Sequence, residues 1–149
     1  MANNEGRVNT LSWKTRTIKK VCNNVKTSET RACETAVQDA MHLARLINEV
    51  YTGRRGLEQI PVDVYLDSQS LCDSIQSSKQ VEEKNVSHII ASFKQHVEED
   101  EIRKFDWVPT KEMYADVLTK AGVKPDFLID ALESGRIKRT NSGLGLFLN

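Results

Sequence analysis

The sequence predicts an α/β fold, a mixed sheet flanked by helices, on three observations. Two runs of strand-forming residues, VDVYL and IRKFDWVP, lie far apart in the chain. The stretches around and between them carry apolar residues at helical spacing, and no segment repeats. The 149 residues fit one domain with a usable core. That domain is expected over residues 1–137, followed by a loosely held tail over 138–149, where the apolar periodicity is weak.

Residues 1–26 mix polar and β-branched side chains, with Val8, Leu11, Trp13, Ile18 and Val21 among many cations. Arg7, Lys14, Arg16, Lys19, Lys20 and Lys26 face only Glu5, a local balance of +5 that suggests a short strand followed by a basic connection. The next element is a helix over 28–51. Cys33, Ala36, Val37, Ala40, Leu43, Ala44 and Ile47 recur there at spacings of three and four and define one apolar face. Thr27 or Ser28 can cap its start, and Gly53 stands just beyond its end.

After the loop GRRGLEQIP, VDVYL reads as a strand, Asp67 follows at once, and SQSLCDSI continues as a helix with Leu71, Cys72 and Ile75 on one face. Residues 81–100 place Val86, Ile89, Ile90, Phe93 and Val97 at helical spacing and end in the acidic run 98–101, read as a solvated face. IRKFDWVP alternates and stops at Pro109, as a strand does, and TKEMYADVLTKAG reads as a capped helix closed by Gly122. A last short helix opens at Pro125 and stops near Gly135.

The 21 basic and 21 acidic residues cancel, so no global field draws the chain to a polyanion, and any such site has to be local. The three cysteines, Cys22, Cys33 and Cys72, are odd in number and widely spaced, which favours reduced, packed thiols over disulfides. There is no 18-residue apolar run, and the start MANNEGRVNT lacks the pattern of a signal peptide. The expected location is intracellular, cytoplasmic or nuclear, and not secreted, with no membrane partner.

Three acids occupy special places. Glu29 precedes Cys33 by four residues, which puts its carboxylate on the helix face that turns toward the sheet, or else at the helix terminus it stabilises. Asp67 ends a strand, where ligand sites of α/β sheets gather, and is also placed to cap the following helix. Asp116 follows the second strand and stands four residues before Lys120, which can neutralise it. His42, His88 and His96 form no metal-binding pair by spacing and are read as surface or boundary residues.

The blocks LSWKTRTIKKV, TSETRACETAVQDAMHLARLI, VYLDSQSLCDSI and FDWVPTKEMYADVLTKAG, in this order, resemble the ribonuclease H domain of copia-type retrotransposon polyproteins. The resemblance runs over residues 8–137 and is most specific in WVPT, ADVLTK and DSQSL. It implies a ribonuclease H-like mixed sheet and cleavage of the RNA strand of an RNA–DNA hybrid with two Mg²⁺ ions. Two cations about 3.5–4 Å apart activate the attacking water and stabilise the leaving oxygen, and hard carboxylate oxygens suit them. By resemblance the catalytic and metal-binding residues are Glu29, Asp67 and Asp116. Lys14, Arg16, Lys19 and Lys20 are the nucleic-acid-binding candidates, and the upstream reverse transcriptase portion of the same polyprotein is a further partner.

The family also carries an aspartate on its first strand, well upstream of the SW block. Here the residues before Ser12 include Glu5 and no aspartate. The implied fold therefore lacks the first two strands, leaving a partial domain with weak or no hydrolysis by the isolated chain. A non-catalytic nucleic-acid-binding remnant, or an interaction domain whose acids only cap and pair helices, are the alternatives.

Overall fold

The computed structural model describes residues 11, 12, 14, 22, 24–53, 60–78 and 84–136. The expected first strand and its basic connection, most of the loop after the long helix, and the C-terminal tail lie outside the described residues. Those that are described form a mixed α/β structure of five α-helices and a two-stranded parallel sheet. The chain divides into two compact units, Ile18–Trp107 and a second one of Met1–Thr17 with Val108–Asn149.

In the first unit, α1 spans Val25–Thr52, β1 Val62–Leu66, α2 Gln69–Gln76, α3 Lys84–Glu98 and β2 Ile102–Trp107. Helix α1 starts earlier than the apolar spacing indicates because Asn24 caps it: the Asn24 side-chain oxygen accepts the Thr27 backbone N–H at 2.7 Å. Its other end closes at Gly53, whose φ of 64° is a left-handed conformation that glycine adopts without steric cost.

The buried stripe of α1 is Thr27, Thr30, Cys33, Val37, Met41 and Asn48. Ala36 is exposed, so the stripe is narrower than the apolar pattern suggests and includes polar residues. Thr30 is fully buried because its hydroxyl donates to the Lys26 carbonyl at 2.8 Å, leaving only its methyl group to the core.

Strands β1 and β2 are parallel, which requires a long crossover, and α2 and α3 supply it. The apolar residues of β2, Ile102 and Phe105, are three apart and cannot both face inward in a regular strand. An irregularity resolves this. Val62 pairs with Ile102 but Asp63 pairs with Lys104, and the extra residue, Arg103, puts both apolar side chains on the core. The expected simple alternation of this strand is thus interrupted once.

The core joins Cys33, Val37 and Met41 of α1, Leu71 and Ile75 of α2, Val86, Ile89, Ile90 and Phe93 of α3, and Ile102 and Phe105 of β2, with Val62, Val64 and Leu66 of β1 packed against it.

In the second unit, the segment expected as one helix over TKEMYADVLTKAG is two pieces: a single 3₁₀ turn at Thr110–Glu112 and the one-turn helix α4, Asp116–Thr119. Tyr114, between them, packs edge-on against Phe127 with ring centroids 5.0 Å apart. Phe127 belongs to α5, Asp126–Ser134, which follows Pro125 and ends at Gly135 as the sequence indicates.

Candidate functional site

Because β1 and β2 are parallel, their carboxyl ends open on the same side, and their last paired residues are Leu66 and Trp107. Asp67 is the next residue of the chain. Ser68 takes the N-cap position of α2 in an extended conformation, φ −94° and ψ 98°, and no side chain caps the helix. The Asp67 carboxylate is exposed and has no hydrogen-bond or ion-pair partner among the described residues. Its main-chain carbonyl, by contrast, accepts the indole N–H of Trp107 at 3.2 Å.

Glu29 lies on α1, which packs against β1. It is half-buried, beside the stripe of Thr30 and Cys33 rather than beneath it, and its carboxylate has no partner among the described residues either. Because the Asn24 cap starts the helix at Val25, Glu29 stands beyond the first turn, where interaction with the helix dipole has faded.

Asp116 belongs to the other unit. It is buried, opens α4 and accepts a hydrogen bond from the Lys120 ammonium at 2.7 Å, the ion pair that the four-residue spacing allows. Of the basic candidates, Lys14 is exposed, and Arg16, Lys19 and Lys20 lie outside the described residues.

The sheet face opposite the core is a lattice of charge pairs. Arg103 donates to both oxygens of Asp63, at 2.7 and 2.5 Å, and Lys104 pairs with Asp106 while standing over the Tyr65 ring. Burial pushes the Asp63 carboxyl up, but the hydrogen bonds and charge of Arg103, with Lys104 and Tyr65, outweigh it and hold the group below its ordinary range. Asp63 and Asp106 are thus each already matched by a basic side chain of the same sheet.

One cluster escaped the sequence reading. His96, Glu99 and Glu101 place ligating atoms within 4.8 Å of one another. Asp100, at a φ of 57°, turns the chain back after α3, so that Glu101 meets His96 at 2.6 Å and also Arg45 of α1 at 3.2 Å. The run 98–101 is therefore solvated only in part. Helical spacing does not disclose this, because the return depends on a left-handed residue. With Arg45 already on Glu101, the group reads as an interhelical ion-pair network.

A groove of about 550 Å³ runs along Ile75, Ser77, Lys94, Val97, Phe105 and Asp106, and none of the nominated acids lines it. Among the described residues, no helix is long and apolar enough to cross a membrane. Compared with protein-family models, with curated proteins and with solved structures, the chain matches none of them.

Proposed function

We propose that the chain is of the ribonuclease H type found in copia retrotransposons, with Glu29 and Asp67 as acids of a cation site acting on the RNA strand of an RNA–DNA hybrid, the sequence resemblance naming Asp116 as a third acid. The observation that carries this reading is Asp67. It stands at the carboxyl end of a parallel strand, where ligand sites of α/β sheets gather, and among the described residues its carboxylate neither caps the next helix nor pairs with a base.

The donors fit Mg²⁺ in kind: Asp67 and Glu29 offer hard oxygens with no competing partner among the described residues. Bound there, Mg²⁺ ions would supply an activated water and a stabilised leaving oxygen. The basic residues Lys14, Arg16, Lys19 and Lys20 hold the phosphate backbone, so affinity for hybrid depends steeply on salt.

The chain binds hybrid in a Mg²⁺-dependent way. Fluorescence anisotropy of a labelled hybrid, with and without Mg²⁺, tests this. Mg²⁺-dependent binding that Asp67→Asn removes supports the reading, and binding indifferent to both Mg²⁺ and Asp67 contradicts it. The Asp116–Lys120 pair favours a second reading, an interaction domain whose acids serve helices. In that case alanine at Asp67 would cost about 0.5–2 kcal/mol of stability, as a lost cap does.

A further inference from the structure

We infer that Trp107 is a positioning residue for Asp67, an inference that rests on the reading of Asp67 as a cation ligand.

The ladder between β1 and β2 ends at Leu66 and Trp107, so Asp67 lies one residue past the last pairing of backbones. At that point a side chain takes over. The Trp107 indole N–H donates to the Asp67 main-chain carbonyl at 3.2 Å, holding the first residue after β1 against the end of β2. Among the described residues the carboxylate has no partner to fix its direction, and Ser68 leaves α2 without a side-chain cap, so the backbone at Asp67 sets the direction in which its side chain leaves the chain.

Trp107 is poorly suited to the bland alternative, a core residue. Trp107 is 41% exposed, whereas Ile102 and Phe105 of the same strand are buried and fill the core between the helices and the sheet. A large apolar ring kept at the surface, with its one polar atom spent on the neighbouring strand end, is placed to hold that end and not to pack.

The test uses the full chain labelled with ¹⁵N and titrated with Mg²⁺. The Trp107 indole N–H resonance, assigned by its loss in Trp107→Phe, is expected to shift on titration in the wild type and to stay fixed in Asp67→Asn. Trp107→Phe keeps an aromatic ring and loses the donor. It is expected to weaken Mg²⁺ binding about fivefold, the effect of one net hydrogen bond, with the thermal midpoint little changed.

If Mg²⁺ binds, Asp67→Asn abolishes binding, and Trp107→Phe binds as tightly as wild type, the positioning role is overturned while the cation-site reading stands. If Trp107→Phe loses affinity only in proportion to a fallen thermal midpoint, the role is structural and the inference is also overturned. If the wild type gives no Mg²⁺ response, or one indifferent to Asp67→Asn, the cation-site reading fails and takes the inference with it.

Discussion

The contact between Phe93 and Phe105 holds β2 against α3, and its removal is the strongest test of the packing that places the strand ends. Phe93 is 2% exposed, and its ring centroid is 5.2 Å from that of Phe105 at an interplanar angle of 38°. Truncation to alanine removes a fully buried ring, which costs about 3–5 kcal/mol, of which about 0.5–1.5 belongs to the aromatic pair itself. Domains hold about 5–15 kcal/mol in all, so Phe93→Ala leaves a folded but weakened protein. With a urea slope of about 2 kcal/mol per molar, the midpoint of the circular-dichroism transition falls by about 2 M. The double variant with Phe105→Ala is expected to be less destabilised than the sum of the two singles, since each single already breaks the pair. A fall of less than about 0.5 M at unchanged slope, or strict additivity, would refute this account of the core.

Three further outcomes follow from the geometry. Because Arg103 holds the Asp63 carboxyl below its ordinary range, the folded value lies under the unfolded one. The pair's contribution is therefore present above the unfolded carboxylate range, near pH 4, and is lost as pH falls through the folded value. Arg103→Ala should raise the Asp63 titration midpoint in carboxyl NMR, and an unmoved midpoint would refute the pairing. Burial first, then the neighbouring Cys72, pushes the Cys33 thiol up to about 12, and burial, Asp73 and Asp106 push Cys72 up to about 11. Both should resist a thiol reagent at pH 8 until the chain is unfolded, with labelling read by mass spectrometry; rapid native labelling would contradict their burial. Asp67→Ala should leave the unfolding free energy from urea titration within about 0.5 kcal/mol of wild type, because the carboxylate does not cap α2; a loss of about 1 kcal/mol or more would restore the capping reading.

Much of the fold was legible because its elements are amphipathic. Cys33 and Val37, Leu71 and Ile75, and Val86, Ile89, Ile90 and Phe93 repeat at helical spacing and are the residues that form the core. Gly53 and Gly135 marked helix ends by the conformation they allow. What was not legible depends on interactions that spacing does not encode. Asn24 lies outside the apolar period yet starts α1 by accepting one hydrogen bond. Thr30 hides in the core because its hydroxyl bonds its own helix, and the irregularity at Arg103 reconciles a three-residue apolar spacing with a strand.

The candidate site was legible by position in Asp67 and Asp116, but not the partners that distinguish them. Spacing allowed Lys120 to pair with Asp116, and it does. Spacing equally allowed Asp67 to cap α2, and there the helix begins uncapped while the indole of Trp107, forty residues along the chain, takes the carbonyl instead. A contact at that separation follows from the parallel pairing of β1 with β2 and is not visible in either strand alone.

The proposal that Asp67 and Glu29 hold a cation is tested most directly by crystallising the chain in Mn²⁺ and locating the ion by anomalous scattering. The account predicts a peak with oxygen ligands from Asp67 and Glu29 at about 2.1 Å. A well-ordered crystal with no peak at Asp67, or with manganese held only at His96 and Glu101, would contradict it.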